Sequence, residues 1–126
     1  EIQSHTYDLH QWADYEESGT ARDTVLRIEG ESESDYMTMM NEDCARERET
    51  IETGMGGTVH AISYPHGDYD DLAAVMMSEN GFDISFTVNK GINVLIKGID
   101  QSMLALKRNN ADTQTTDEQL LTSVSR

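Results

Sequence analysis

Thr58-Val59-His60-Ala61-Ile62-Ser63-Tyr64-Pro65-His66-Gly67 is the stretch on which the fold turns. Its first seven residues are few, largely apolar and rich in β-branched types, and they run straight into Pro65 and Gly67, so the segment reads as a buried strand entering a rigid loop. Upstream of it, Tyr36, Met40, Cys44, Ile51 and Met55 keep helical spacing through a strongly charged region, which predicts an amphipathic helix from about Ser34 to Thr53. Ser32 or Ser34 can cap its start, and Gly54, Gly56 and Gly57 stop it. Downstream, Asp70 or Asp71 caps a second helix with Leu72, Val75 and Met76 as its apolar stripe and Asn80-Gly81 as its end. Phe82 to Val88 then alternates like a strand, and Ile92 to Ile96 is expected to add another short extended piece. After the polar stretch Asn109 to Gln114, read as a loop, Thr115 with Glu118 resembles a capping box opening a last helix through Leu120, Leu121 and Val124.

Helix, strand, helix, strand in that order implies an α/β fold of βα units around a mainly parallel sheet. The 126 residues allow one domain with a modest core, and no linker, repeat or low-complexity tract divides them, so residues 1–126 are read as one unit. Two or three strands cover the two faces of a parallel sheet poorly. The expectation is therefore a portion of a larger barrel whose first strands lie upstream. Glu1-Ile2-Gln3-Ser4, which begins without Met, reads like the middle of something.

Asp and Glu number 24 against 9 Lys and Arg, a formal charge of -15, which repels a phosphate backbone and argues against nucleic acid as a partner. Such charge serves solubility, and an acidic cleft would also attract a cationic polymer such as partly deacetylated glucosamine chains. No apolar run approaches the roughly 20 residues of a transmembrane segment, and no basic-then-apolar signal pattern is present. Cys44 is the sole cysteine, which leaves no disulfide framework or thiolate cluster within the chain, and its spacing marks a buried helix position rather than a nucleophile. The pairs Met39-Met40 and Met76-Met77 read as core filler.

His5-Thr6-Tyr7-Asp8-Leu9-His10 sets two imidazoles five residues apart, directly after an extended Ile2-Gln3-Ser4 segment. A loop at a strand end can aim both rings at one metal ion, although the spacing alone fits surface or hydrogen-bonding histidines as well, and Asp8 fits a turn cap. Tyr64-Pro65-His66-Gly67-Asp68-Tyr69 carries an aromatic ring and an imidazole to the same end of the sheet; read alone it is a turn, with Tyr64 and Tyr69 as packing residues. Asp70 and Asp71 fit helix caps better than a catalytic pair, and His60, alternating with Val59 and Ala61, is read as structural. Phosphate loops, dinucleotide fingerprints and serine elbows are absent from the sequence.

Taken together, Glu1-Ile2-Gln3-Ser4-His5-Thr6-Tyr7-Asp8-Leu9-His10 and Ala61-Ile62-Ser63-Tyr64-Pro65-His66-Gly67-Asp68-Tyr69-Asp70 resemble the polysaccharide deacetylase, or NodB-like, family. Within it they look most like the bacterial branch that de-N-acetylates poly-N-acetylglucosamine and related envelope glycans. The likeness continues through Gly30 to Tyr36, Asn80 to Val88 and Leu106-Lys107-Arg108. The resemblance implies the C-terminal portion of a distorted (β/α) barrel, with a metal, usually zinc, held by one Asp and two His at strand ends. His5 and His10 match the two histidines. Tyr64-Pro65-His66-Gly67 matches the loop whose backbone N–H, here that of His66, supports the oxyanion. The implied activity is metal-dependent hydrolysis of a carbon–nitrogen bond other than a peptide, removing N-acetyl groups from an N-acetylglucosamine-containing polysaccharide, outside the cell or at the envelope. O-acetyl ester hydrolysis, or a non-catalytic glycan-binding or scaffold role, are the alternatives.

Three departures from the family pattern stand out. The early Thr-Phe-Asp-Asp-Gly-type strand end, source of the aspartate base and the third metal ligand, has no counterpart, so the chain is expected to begin after it and to show weak metal binding and no useful turnover alone. His66 stands where relatives often carry Tyr, and no histidine follows it to act as general acid. His66 itself is the candidate for that acid. A truncated barrel would also expose sheet edges, from which self-association is expected.

Overall fold

The computed structural model describes residues 2–12, 14 and 21–125. Helix α1 spans Glu33–Met55, strand β1 Ala61–Ser63, helix α2 Asp71–Glu79, strand β2 Ile84–Phe86 and helix α3 Asp117–Val124, with single 3-10 turns at Pro65–Gly67 and Asp100–Met103. β1 and β2 pair in parallel, Ala61 opposite Ile84 and Ser63 opposite Phe86, as the βαβ reading requires. Each edge of this pair is extended by one further parallel bridge, Ser4 to Ile62 on one side and Leu106 to Phe86 on the other. Four segments thus run in the same direction, and the residues that follow Ser4, Ser63, Phe86 and Leu106 all emerge at one end of the sheet.

Local signals account for the helices. Ser32, rather than Ser34, caps α1 by accepting the Asp35 N–H at 3.1 Å, and Glu33 and Asp35 in the first turn complement the helix dipole. Gly56 ends it at φ 70°, the left-handed turn that glycine adopts without steric cost. Asp70 caps α2 through the Ala73 N–H at 2.8 Å, while the buried stripe is Ala73, Met76 and Met77; Val75, expected inside, is exposed. Tyr36, Met40 and Cys44 are buried on α1 as their spacing predicts, but Met55 is exposed and the face is completed by Asp43 and Glu47.

Two expectations shift. Ile92 to Ile96 forms no strand: its last N–H, that of Ile96, goes to Ser102 Oγ at 3.0 Å, and the Asn93 side chain accepts the Lys107 N–H at 2.8 Å. The last capping box lies one residue later, on Thr116 and Gln119, because the Thr115 hydroxyl is already engaged with Asp112.

The core lies between α1, α2 and the sheet, around Tyr36, Met40, Cys44, Ile62, Tyr64, Met77 and Phe82. Cys44 Sγ sits 3.8 Å from Met77 Sδ, and burial pushes its thiol up to about 12, which makes it a packing residue. The half-buried Arg48 ties three elements together, its guanidinium donating to Val59 O and Asn80 O, each at 2.6 Å, and lying over the Phe82 ring. Tyr36, fully buried, donates its hydroxyl to Val25 O at 2.8 Å and so fastens the 21–31 segment to α1. Tyr36→Phe leaves that carbonyl buried without its donor and is expected to lower stability by about 1–3 kcal/mol, read from urea denaturation.

Candidate metal centre at the strand ends

The loop after Ser4 leaves the sheet at once, so its N–H groups need acceptors other than a ladder partner. α1 supplies them from two carboxylates one turn apart. Glu47 accepts the Ser4 hydroxyl at 2.5 Å and the His5 N–H at 3.1 Å, and Asp43 accepts the N–H groups of Tyr7 at 3.0 Å and Asp8 at 2.7 Å. Held this way, Thr6 takes φ 74°, a left-handed backbone uncommon for a residue with a Cβ. His5 Nδ1 donates to Ser63 O at 2.6 Å, which leaves Nε2 as the lone-pair nitrogen of the neutral ring, the tautomer a metal ligand needs.

On the neighbouring strand, Tyr64 is buried and stacks on Tyr69 with ring centroids 5.0 Å apart, and Pro65 fixes the start of a turn in which His66 has φ 55°. Gly67, at φ 78°, closes it. A Cβ there would lie 2.7 Å from Val88 N, so no other residue fits without moving β2's exit. The loop's own hydrogen bonds are made by the Gly67 and Asp68 N–H groups, to Tyr64 O and Pro65 O. His66 thereby projects toward His10, ring centroids 4.6 Å apart, while His5 lies 5.4 Å from His10 on its own loop.

A fourth group joins these three imidazoles. Asp23 accepts His10 Nδ1–H at 2.5 Å on one oxygen and His66 Nε2–H at 3.0 Å on the other. The hydrogen bond from His10, seconded by that from His66, holds its carboxyl below the usual carboxylate range. Its placement is fixed by the residues beside it: Gln11 N–H donates to Arg22 O at 2.9 Å and Arg22 N–H to Gln11 Oε1 at 2.6 Å, which locks the chain after His10 against the chain before Asp23. Buried Arg22 pairs with Glu31 at 2.5 Å and donates to Leu26 O, closing the loop from its far side. One ligand atom each from His10, Asp23 and His66 lies within 4.8 Å of the others.

Of the residues singled out from sequence, His5, His10 and the Tyr64–Gly67 loop come together at one end of the sheet. His60 stays apart, its Nδ1 3.3 Å from Thr58 O. Asp23, Asp43 and Glu47 join the site without a sequence motif that marks them. Asp23 sits 13 residues beyond His10 in a stretch without periodicity, and the two α1 carboxylates stand among many charged residues of their helix. Their position on the Tyr36–Met40–Cys44 stripe was the available signal.

Burial holds the Asp43 and Glu47 carboxyls above their ordinary range, against the pull of the donors they accept. A carboxyl whose folded value lies above its unfolded one binds protons more readily in the folded chain, so stability is greatest below the unfolded value and falls as pH rises toward the folded one. Glu47→Gln, which can keep an oxygen on the His5 N–H and turn its amide to Ser4 Oγ, is expected to make that fall shallower from about pH 4.3 upward in urea midpoints. Asp43→Asn must turn an NH2 toward a backbone N–H and is expected to cost about 1–3 kcal/mol by the same measurement at neutral pH.

No protein-family model matches the sequence, nor does any curated protein. Solved structures do match its fold. A de-N-acetylase from Aggregatibacter actinomycetemcomitans superposes with TM-score 0.74 at 22% identity, over 98% of this chain and 47% of that one. A polysaccharide deacetylase from Bacillus cereus gives 0.64 at 22%, over 99% and 32%, and the Streptococcus pyogenes deacetylase PplD gives 0.61 at 19%, over 85% and 43%. The chain thus spans between a third and a half of the length of these structures, and at such identities the likeness is one of fold. The resemblance read from the two histidines and the Tyr-Pro-His-Gly loop is present in the architecture as well.

Proposed function

From the fold it shares with part of the polysaccharide deacetylases, we propose that this chain belongs to a hydrolase that removes N-acetyl groups from an N-acetylglucosamine-containing polysaccharide at the cell envelope or outside the cell. The observation that carries this reading is the convergence of the His5–His10 loop and the Tyr64–Gly67 loop at the C-terminal end of parallel strands, the place where barrel enzymes build their sites. Among the described residues, no helix is long and apolar enough to cross a membrane.

His5 and His10 are the proposed metal ligands, and the Nε2 left free by the His5–Ser63 hydrogen bond supports the first of them. A divalent metal, zinc in the simplest case, would supply Lewis-acid charge at the acetyl carbonyl. The chain's own part is to orient and to stabilise. Asp43 and Glu47 fix the backbone from Ser4 to Asp8, and the pinned turn at Pro65–Gly67 presents the His66 N–H to a developing oxyanion. Buried Tyr64 and its partner Tyr69 brace that turn from beneath.

The reading also requires a general-base carboxylate, so it is tested on the chain together with any upstream sequence its gene encodes. Metal-dependent acetate release from N-acetylglucosamine oligomers is expected, with little from acetylated xylan, and His5→Ala or His10→Ala should remove it. Release from xylan alone would move the chemistry to O-acetyl esters. Glycan binding without any release would make the domain a binding module.

Self-association is part of the same proposal. Val94, Leu95, Ile96, Leu120, Leu121 and Val124 are all exposed, apolar side chains that a second copy could cover. Light scattering is expected to show mass rising with concentration, and a monomer at every concentration would refute it.

A further inference from the structure

At the end of the sheet opposite the histidine loops, a cavity of about 610 Å³ lies between the entries to β1 and β2 and the turn Asp100–Met103. That volume falls within the roughly 300–1,000 Å³ of small-molecule sites. We propose that this cavity binds a sugar unit carrying a free ammonium, a glucosamine residue, so that the chain holds an already deacetylated stretch of polymer away from the strand-end site. The chemistry of recognition belongs to the cavity alone, whereas the ligand's being the product of this chain's reaction rests on the deacetylase reading.

Backbone bonds set the frame of the cavity and leave its rim free. His60 O accepts the N–H groups of Asp83 at 2.9 Å and Ile84 at 3.2 Å, which brings the two strand entries side by side. Across from them, buried Ser85 fixes the third wall: its Oγ accepts the Ala105 N–H at 2.8 Å and its carbonyl the Leu106 N–H at 2.7 Å. Ala105 takes φ 54° there, a left-handed backbone uncommon for a residue with a Cβ, and Met103 and Leu104 just before it line the cavity. With Phe82 and Ile84 they give it an apolar side, which suits the C–H face of a pyranose ring.

The polar rim decides which ligand fits. Asp83 and Asp100 bring two carboxylates, exposed and, among the described residues, without hydrogen-bond or ion-pair partners. His60 Nδ1 lies 3.3 Å from Thr58 O, which favours a proton on that nitrogen and leaves Nε2 as an acceptor in the neutral ring. Gln101 and Ser78 can donate or accept. A rim weighted to acceptors and negative charge calls for a ligand rich in donors and positive, which disfavours phosphates and carboxylates and favours an ammonium among hydroxyls. An N-acetyl group replaces that ammonium by one neutral N–H and a carbonyl, so the cavity discriminates deacetylated from acetylated units. The chain's charge of -15 draws a cationic polymer toward it, and the cavity adds the local fit.

Titration of the chain with glucosamine oligomers, followed by NMR, is expected to shift the His60 ring and Gln101 amide signals saturably. N-acetylglucosamine oligomers of equal length should bind about tenfold more weakly. Asp83→Asn and Asp100→Asn should each weaken binding of the glucosamine oligomers about two- to fivefold, and the two together about tenfold. Asp117→Asn with Glu118→Gln, which removes the same net charge from α3, should leave the affinity unchanged, as should His5→Ala at the strand-end site. Circular dichroism checks that each variant is folded. A His60 signal that does not shift, equal binding of the acetylated oligomers, or equal loss in the α3 variant overturns the proposal. So does oligolysine of the same charge binding as tightly, which makes the cavity a site for cations at large. Acetate release from the acetylated polymer without binding at His60 sinks this proposal and leaves the deacetylase reading; binding at His60 without acetate release does the reverse.

Discussion

Two carboxylates buried on α1 hold the site in place. The segment from Ser4 to Asp8 bridges the sheet only at Ser4 and then departs, so its amide groups have no ladder partner and need other acceptors. Asp43 and Glu47, one helical turn apart, meet four donors between them. α1 is therefore both the cover of the sheet and the template for the histidine loop. Burial opposes ionisation of both groups, and the donors partly offset that cost, a tension that a wholly apolar face would not carry.

Parallel pairing does the remaining work of assembly. Because β1, β2 and their two flanking bridges share one direction, every strand exit lies at the same end, and loops distant in sequence meet there. His10 and His66 are 56 positions apart by numbering yet have ring centroids 4.6 Å apart. Left-handed backbone at Thr6 and at His66 marks the two exits, and in each case hydrogen bonds or a steric stop sustain it: the Glu47 and Asp43 bonds on one side, Gly67 against Val88 on the other.

How far this was legible depends on the range of each signal. Ser32 and Asp70 act within three residues, and the sequence narrows each cap to one of two candidates, Ser32 or Ser34 and Asp70 or Asp71. The strand through Ile62 showed itself by composition and by the proline that follows. Asp23 could not be read, because nothing near it in sequence says that Gln11 and Arg22 exchange hydrogen bonds. Asp43 and Glu47 escape the sequence for a different reason: on a helix this rich in charge, a carboxylate facing inward has the same local sequence as one facing water, and only the loop it holds tells them apart.

The last third of the chain shows what local signals achieve without tertiary partners. Thr116 and Gln119 write a complete capping box, and α3 forms, yet none of its residues is buried. Asn93 and Asn109 tie residues 91–109 together side chain to backbone, and Ile92–Ile96 forms no strand. Alternation of apolar residues specifies a face but not its neighbour, and Val94 and Ile96 remain exposed where that neighbour is lacking among the described residues. Leu106 is the exception: its bridge to Phe86 buries it, and its backbone joins both Ser85 and Thr87. An element gains a position from what it pairs with, and for that reason the chemistry of this chain gathers at the paired strand ends.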